Sequence, residues 1–390
     1  MADSKNRKSL VTENFAEIFG NSPTIWTQAP GRVDIMGSHT DYNEGFVLTE
    51  AIDRNTWIAA RPRKDRRVRI CSANVPGCSE FELIDITFDE VVTWTNYVRG
   101  VADIMQQEGY VLQGFDGLVH STIPFGSGLS SSAAIEVSTA TLFANLSGQK
   151  INPVMIAKMC QRAENEFVGM NCGILDQYSS AMGHEGSMLL LDCRSITHQT
   201  MPISPGLQVM ICDTRAKRAL TGSEYPERRA QCEQGARILS SYHPKIRTLR
   251  DATLEQLQAH KDDLDPVVYK RCHFIIEENQ RVMDVAKALT TGNHVEAGRL
   301  ANESFAGARD LYEVVSSEMI AMQKAILSAP GTLGVRGAGA GFGGCLAAFV
   351  EDGQEEAFVA QVADHYQAST GIIPQIYPCQ AAEGAGILPD

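Results

Sequence analysis

The stretch IPFGSGLSSSAA, residues 123–134, combines a glycine-rich turn with a run of serines. Gly126 and Gly128 allow tight backbone turns and leave room for a ligand against the main chain. The helical pattern over residues 131–146 places the serines at a helix N-terminus, where free N–H groups and the helix dipole favour a phosphate. The last serines also offer hydroxyl ligands to Mg²⁺, which prefers oxygen. The stretch indicates a phosphate-binding loop that opens a helix; a serine-capped core helix after a glycine turn is the alternative.

This loop differs from two common nucleotide-binding motifs. No Gly-Lys-Ser/Thr follows the glycines, as a Walker A loop requires, and the third glycine of a dinucleotide fingerprint is missing. A second stretch, GAGAGFGGC at residues 337–345, formally contains G-x-G-x-x-G, but the strand-like run CLAAFV overlaps its end where a helix would be needed. Its glycines indicate that backbone passes very close to another group, and a tight connection between strands is the alternative.

A third stretch, GSHTDYNEGFVL at residues 37–48, contains six consecutive polar side chains at 38–43. Such a run is compatible with an ordinary surface turn. It is also compatible with a set of hydrogen-bonding groups that holds a polar ligand, because Asp accepts from hydroxyls and His can donate or accept.

Bulk properties limit the class of protein. The 390 residues permit two or three domains or one large two-lobed enzyme. The net charge of −13 argues against nucleic-acid binding, although glycine loops and helix ends can still hold a nucleotide. The sequence shows neither a signal peptide nor the run of about 18 apolar residues that a membrane helix requires, which predicts a cytoplasmic protein without a membrane partner. The ten cysteines include no C-x-x-C pair and are expected to be reduced thiols.

Hydrophobic periodicity predicts strands and helices that are partly segregated along the chain, which is typical of an α+β fold. Helices are predicted at residues 9–20, 94–108, 131–146, 153–167, over most of 219–330, and near 354–365. Strands are predicted within residues 24–74 and at 116–121, 187–193, 207–212, 334–336, 345–350 and 374–377. Pro202 and Pro205 suggest a domain boundary near residue 200.

Taken in order, these stretches resemble the GHMP kinase family and, within it, the galactokinases. Residues 29–48 resemble the sugar-binding motif, 123–134 the phosphate-binding motif, and 334–345 the third motif of that family. Five further stretches match: TNYVRGV (95–101), AENEFVGMNCGILDQYSSAMG (163–183), LLLDCRS (189–195), GSEYPERRAQCE (222–233) and NESFAGARDLYEVVSSE (302–318). Each match alone is weak, but their common order over nearly the whole chain makes the resemblance specific.

The resemblance implies a two-lobed α+β fold with the active site in the cleft. The N-terminal lobe, residues 1–203, is expected to be ribosomal-protein-S5-domain-2-like and to carry the sugar and phosphate motifs. The C-terminal lobe, residues 204–390, is expected to be ferredoxin-like and to carry the third motif. The implied activity is that of an ATP- and Mg²⁺-dependent sugar 1-kinase, nominally acting on galactose. The oligomeric state stays open, with a monomer plausible.

The resemblance also implies residue roles. Asp176 corresponds to the base that accepts the proton of the sugar hydroxyl, and Arg32 to a cation that keeps Asp176 ionised and stabilises phosphoryl charge. Ser132 and Glu164 correspond to the magnesium ligands. The implied sugar contacts are Ser38, His39, Asp41, Gly173 and Tyr225. The implied nucleotide contacts are Trp94, Gly126, Ser127, Gly128, Leu129, Ser130, Ser131, Ser132, Ala133, Gly339 and Gly341.

Departures from the family pattern concern the choice of sugar. Ser38 stands where galactokinases usually have a glutamate that accepts from the C6 hydroxyl, and Asp34 replaces a usual asparagine. Ser38 is compatible with galactose bound through a water, with L-arabinose or fucose, or with galacturonate, whose carboxylate a serine would bond and a glutamate would repel. A non-catalytic sugar and nucleotide sensor is a further alternative, disfavoured because the Ser132-Ala133 pair of the phosphate motif is intact.

Overall fold

Two β-sheets organise the computed structural model, which describes residues 2–216 and 224–389. In chain order the strands are β1 (Ile25–Met36), β2 (Phe46–Pro62), β3 (Arg67–Ser72), β4 (Cys78–Glu82), β5 (Phe115–Ser121), β6 (Ser187–Asp192), β7 (Thr197–Pro202), β8 (Leu207–Asp213), β9 (Thr332–Gly337), β10 (Cys345–Glu351), β11 (Gln375–Cys379) and β12 (Gly386–Ile387). The α-helices are α1 (Ala2–Phe19), α2 (Asn96–Gln107), α3 (Ser131–Leu146), α4 (Pro153–Arg162), α5 (Leu175–Met182), α6 (Glu224–Tyr242), α7 (Leu254–Ala259), α8 (Pro266–Thr290), α9 (His294–Asp310), α10 (Ser317–Leu327) and α11 (Glu355–Thr370). No helix in the described ranges is long and apolar enough to cross a membrane.

The first sheet has the order β12-β1-β2-β5-β3-β4, with β6 on β2 and β7 on β6. Its strands pair antiparallel except for β3 and β5, which are parallel. Helices α2 to α5 pack on it. In α2, Val98, Val101, Ala102 and Met105 lie on one helical face and are all buried in the core of this lobe.

The second sheet has the order β11-β8-β10-β9 and is antiparallel throughout. Helices connect β8 to β9 and β10 to β11, so the strands follow the β-α-β-β-α-β order of a ferredoxin-like fold. Both faces are covered: Val209 and Ile211 point into one apolar cluster, and Met210 and Cys212 into another. The predicted α+β class is confirmed.

Along the chain, the second sheet begins with β8, directly after β7 of the first sheet. We propose that the lobes divide between residues 203 and 204, as the sequence predicts. One strand after this boundary belongs to the first lobe. Strand β12 returns to the first sheet, where Ile387 pairs with Thr27 and Gly386 with Gln28 of β1.

Several predicted elements agree closely with the structure. Helix α3 spans Ser131–Leu146, and β5, β6, β8 and β10 start within a residue of their predicted positions. The strand-rich region predicted within residues 24–74 contains β1, β2 and β3, and the predicted helix at 153–167 ends as a π-helix at Ala163–Val168. Strands β4 and β7 were not predicted. Residues 219–223 of the predicted helical region lie outside the described residues.

The prediction of reduced thiols is wrong for one pair of cysteines. Cys71 of β3 and Cys78 of β4 form a disulfide. They are directly opposite each other in the antiparallel pair, a juxtaposition that depends on the unpredicted strand β4. Of the other eight cysteines, all but Cys172 are buried.

The contact between α9 and β9 yields a stability test. Gly334 lies so close to α9 that a Cβ atom would collide with the backbone of Gly298. We expect Gly334→Ala to lower the free energy of unfolding by about 1–3 kcal/mol, because backbone must move to admit the methyl group. Urea denaturation measures the change. Gly386→Ala is the control, since no atom lies within 4 Å of its added Cβ; equal effects of the two substitutions would contradict the packing argument.

Candidate active site

A cavity of ≈ 280 Å³ is lined by residues of both lobes. Nine of the residues predicted for sugar, metal, nucleotide or catalysis line it: Arg32, His39, Asp41, Glu164, Gly173, Asp176, Tyr225, Gly339 and Gly341. Asp34, Cys172 and Phe342, to which the sequence analysis gives no role, line it as well. Ser38, Trp94 and residues 126–133 are not among the lining residues.

Arg32 and Asp176 form a close ion pair in this cavity. The Arg32 Nη2 and Nε atoms donate to Asp176 Oδ1 at 2.6 and 2.9 Å. Asp176 lies in the first turn of α5, where the helix dipole favours a carboxylate. Burial lowers the pKa of Arg32, but Asp176 and Asp34 more than offset burial and raise it, so the guanidinium stays charged.

The phosphate loop adjoins the same arginine. Arg32 Nη1 donates to the Gly128 carbonyl at 2.5 Å, and the Arg32 backbone N–H donates to the Leu129 carbonyl at 3.2 Å. Gly339 of the third motif packs against Gly128 from the other side, where an added Cβ would lie 2.9 Å from the carbonyl oxygen. The loop is therefore fixed between β1 and the glycine-rich segment.

The start of α3 is open to an anion. Ser130 is the N-cap in left-handed conformation, with φ 59°, and makes no side-chain cap hydrogen bond. Its buried Oγ has no hydrogen-bond partner among the described residues. Gly126 and Gly128 also have positive φ, as the tight turn requires. An uncapped helix N-terminus with an unpaired buried hydroxyl fits the phosphates of a nucleotide.

Glu164 and Ser132, the predicted metal ligands, lie near each other. Burial and the neighbouring Asp176 raise the pKa of Glu164 to about 6, while a hydrogen bond from Ser132 opposes this. Gln177 Nε2 donates to Glu164 Oε2 at 2.5 Å and to Glu136 Oε2 at 3.0 Å. One hydroxyl and one carboxylate fit Mg²⁺, which completes its shell with phosphate oxygens and water. In the described ranges no group of three or more His, Cys, Asp or Glu side chains is placed to hold a metal.

The polar stretch forms a short turn whose histidine is held by protein groups. His39 Nε2 lies 2.9 Å from the Ala340 carbonyl, which can only accept, so this nitrogen carries the proton. Burial lowers the pKa of His39 to about 4, so the ring is neutral and Nδ1 accepts from the Tyr42 hydroxyl at 2.9 Å. The Tyr42 oxygen in turn accepts from Tyr312 at 2.6 Å. A sugar contact by a nitrogen of His39 would therefore require one of these bonds to be exchanged.

Asp41, Gly173 and Tyr225 are close together on the cavity wall. A Cβ on Gly173 would collide with the Asp41 carboxylate, which explains why glycine stands at this position. The Tyr225 ring lies 5.6 Å from the His39 ring and 5.5 Å from the Tyr42 ring. Burial, together with Asp176 and Asp34, raises the pKa of Asp41 to about 7.

Ser38 is held behind the cavity wall by a buried arginine. Arg336 Nη2 donates to Ser38 Oγ at 2.7 Å, and Ser38 Oγ donates to the Gly339 carbonyl at 3.3 Å. Arg336 also pairs with Glu278 of α8 at 3.3 Å, and both side chains are almost completely buried. Glu278 Oε1 accepts in addition from the Gly37 backbone N–H at 3.2 Å. The second lobe thus fixes the start of the polar stretch.

Trp94 packs at the edge of the first-lobe core and is partly buried. Its Nε1 is buried without a hydrogen-bond partner among the described residues. An adenine contact by Trp94 stays a prediction. The first two residues of the predicted segment 222–233 lie outside the described residues.

The sequence analysis missed Arg336, Tyr312 and Gln177 as partners of the site. Arg336 belongs to the third motif and Gln177 follows Asp176, so motif position was a signal for both. Tyr312 lies in the matched stretch 302–318, but its contact with Tyr42, which is 270 positions away, could not be predicted from the sequence.

Comparison with known families agrees with this geometry. The model of the GHMP kinases N terminal domain matches residues 96–184, and the GHMP kinases C terminal model matches residues 285–368. The galactokinase galactose-binding signature matches residues 13–62, which include Arg32 and the polar stretch.

Relatives that match over the whole chain indicate which branch of the GHMP kinases is concerned. A galactokinase of Roseiflexus sp. (strain RS-1) is 40% identical over 380 residues, 97% of each chain. The crystal structure of Lactococcus lactis galactokinase complexed with galactose superposes with a TM-score of 0.94 at 33% identity, covering 97% of this chain and 99% of that one. Methanococcus jannaschii mevalonate kinase shares the fold, with a TM-score of 0.65 at 16% identity, covering 93% and 99%. The chain belongs to the galactokinase family of GHMP kinases, and it is a sugar kinase.

The partly buried Asp41 gives a prediction for stability against pH. Its pKa of about 7 in the folded protein exceeds the ordinary value of 3.8, so the folded state holds this proton more tightly than the unfolded state. The Asp41 contribution to stability is therefore present at low pH and is lost as pH rises from about 4 to about 7. Because Asn cannot ionise, we expect the free energy of unfolding of Asp41→Asn to increase relative to that of wild type as pH rises through this interval. Urea unfolding at several pH values measures the difference, and Asp364→Asn, at an exposed position of α11, is the control. A difference independent of pH would contradict the prediction.

Proposed function

We propose that this protein is an ATP-dependent galactose 1-kinase that converts galactose and ATP to galactose 1-phosphate and ADP. The observation that carries the proposal is the Arg32 guanidinium, which bonds the Asp176 carboxylate and the Gly128 carbonyl of the phosphate loop together. The proposed base and cation, which line the cavity, are therefore joined to the proposed phosphate-binding loop, which adjoins Arg32. Relatives named as galactokinases support galactose as the sugar.

In the proposed reaction the C1 hydroxyl of the sugar attacks the γ-phosphorus. Asp176 accepts the hydroxyl proton as the new O–P bond forms, and the bond between the γ-phosphorus and the β-phosphate oxygen breaks to release ADP. Arg32 keeps Asp176 ionised and stabilises negative charge on the phosphoryl oxygens. Because Arg32 is buried and paired, it needs little reorganisation during the reaction.

For the nucleotide, we propose that residues 126–133 hold the phosphates through backbone N–H groups and serine hydroxyls, with Gly339 and Gly341 closing the other side. Ser132 and Glu164 would hold Mg²⁺, which neutralises phosphate charge when bound. Trp94 is proposed to contribute to the adenine pocket.

For the sugar, we propose contacts from Asp41, Gly173 and Tyr225, with His39 holding the turn in place. The charged side chains of the described cavity lining are one arginine and four carboxyl groups: Arg32, Asp34, Asp41, Glu164 and Asp176. This balance favours a neutral sugar over a uronic acid.

One observation keeps a C6-altered sugar, galacturonate in particular, as a second candidate. Behind Ser38 lies the buried Arg336, whose Nε has no hydrogen-bond partner among the described residues. A sugar carboxylate that reached Ser38 would meet this cation.

The role of Asp176 is tested by Asp176→Asn. We expect kcat with galactose to fall by about 10²–10⁴-fold, because the amide cannot accept the hydroxyl proton. Galactose binding, measured by calorimetry, should change little, since the side chain keeps its shape. Asp364→Asn serves as the control. A variant that retains wild-type kcat would exclude Asp176 as the base.

The choice of sugar is tested by ADP release with galactose, L-arabinose, fucose and galacturonate, using wild type and Ser38→Glu. We expect galactose to be the best substrate of the wild type. Ser38→Glu should raise the activity with galactose relative to that with galacturonate. The introduced carboxylate would accept a hydrogen bond from the C6 hydroxyl of galactose and repel the C6 carboxylate of galacturonate. Preference of the wild type for galacturonate would overturn galactose as substrate. Nucleotide binding without ADP release from any sugar would instead favour a non-catalytic sensor.

A further inference from the structure

Asp34 is a buried carboxylate of the cavity for which the proposed reaction has no use. It lies two residues after Arg32 on β1, so both side chains are on the same face of the strand. The residue is 3% exposed and lines the cavity.

The hydrogen-bonding capacity of Asp34 is not met by the protein. Its Oδ1 lies 3.0 Å from Arg32 Nε, close enough for an ion pair, but the N–H of that atom points to Asp176. This buried oxygen accepts no hydrogen bond from the described residues. A carboxylate can accept about four hydrogen bonds, and leaving them unmade in a buried position is unfavourable.

The surroundings of Asp34 define the kind of group that would satisfy it. Burial raises the pKa of Asp34, while Arg32 opposes this, and Asp176, Arg336 and Glu278 lie near enough to act on it as well. Arg336 donates to the Asp34 backbone carbonyl at 2.6 Å, not to its carboxylate. Oδ1 is closed off by the protein, but Oδ2 is not among the buried atoms and accepts no hydrogen bond from the described residues, so a hydrogen-bond donor in the cavity can reach Oδ2. A sugar hydroxyl has this chemistry.

We propose that Asp34 is a specificity-determining residue that accepts a hydrogen bond from one hydroxyl of the bound sugar, other than the reacting C1 hydroxyl. The inference rests on the proposed function, because it takes the cavity to be the sugar site. Asp176 is committed to the C1 hydroxyl, so the two carboxylates beside Arg32 Nε would contact different hydroxyls of the sugar. Asp176 would accept the proton of the C1 hydroxyl, and Asp34 would discriminate between sugars.

The test is a cycle of substitutions in protein and sugar. Dissociation constants are measured by calorimetry for galactose and its 2-, 3-, 4- and 6-deoxy derivatives, with wild type, Asp34→Ala and Asp34→Asn. We expect Asp34→Ala to weaken galactose binding by about tenfold or more, as for a hydrogen bond to a charged group. One deoxy sugar should bind wild type and Asp34→Ala equally well, because the hydroxyl that Asp34 bonds is already absent. Asp34→Asn, whose amide oxygen still accepts, should lie between the two.

Asp116→Ala is the matched control, since Asp116 also pairs with an arginine, Arg63 at 2.9 Å, but does not line the cavity. It should leave all five dissociation constants unchanged. If Asp34→Ala weakens the binding of every sugar by the same factor, Asp34 acts only through Arg32, and if it weakens none, Asp34 takes no part in binding; either result overturns the inference. Asp34→Asn keeps the cycle usable if Asp34→Ala does not fold.

The outcome also separates this inference from the proposed function. Failure of the wild type to bind galactose would overturn galactose as substrate. The same cycle, run with deoxy derivatives of the sugar that is phosphorylated, would then decide the role of Asp34.

Discussion

The Arg32 guanidinium is a permanent cation in a buried position, and four segments of the chain meet to satisfy it. Asp176 begins α5, Gly128 belongs to the phosphate loop, Asp34 follows on β1, and the Ala338 carbonyl at 3.4 Å comes from the second lobe. An uncompensated buried charge is strongly destabilising, so the fold cannot form with any of these segments far out of place. The need to pair the buried Arg32 guanidinium therefore also brings the proposed base, cation and phosphate loop together.

A second buried charge cluster joins the polar stretch to the other lobe. Glu278 of α8 contacts Arg336, Arg281, Ser304 and the backbone of Gly37. Burial opposes its ionisation, but the two arginines prevail and keep the pKa of Glu278 below its usual value. One residue further along α8, Asn279 accepts from the Phe46 backbone N–H at 2.8 Å. Both ends of the polar stretch are thus anchored on a single helix.

The sequence predicted those parts of the structure that are encoded locally. The glycine turn and α3 were predicted because glycines, serines and helical periodicity occur together, whereas the roles of Arg32 and Asp176, taken from the family resemblance, stay predictions. Strand β7 was missed because THQTMP is polar and largely exposed, so its pairing with β6 leaves no apolar alternation. Asp34 was noted only as a departure from the family, and its place in the cavity depends on a fold that joins β1 to Asp176 and Arg336. The protein partners of His39 were equally hidden, because Tyr312 and Ala340 approach it from the second lobe.

The first sheet cannot be complete until β12 has been translated. A chain leaves the ribosome from its N-terminus, so β1, the strand that carries Arg32, is made early and β12 last. Until residues 386 and 387 emerge, the outer edge of β1 at Thr27 and Gln28 lacks its partner, and an open strand edge invites pairing with other chains. The first lobe therefore completes its sheet only after the second lobe has been translated. The segments of the two lobes follow each other along the chain, but the first lobe needs a strand that is translated after the second lobe. The pairing of β12 with β1 is therefore a late step of cotranslational folding.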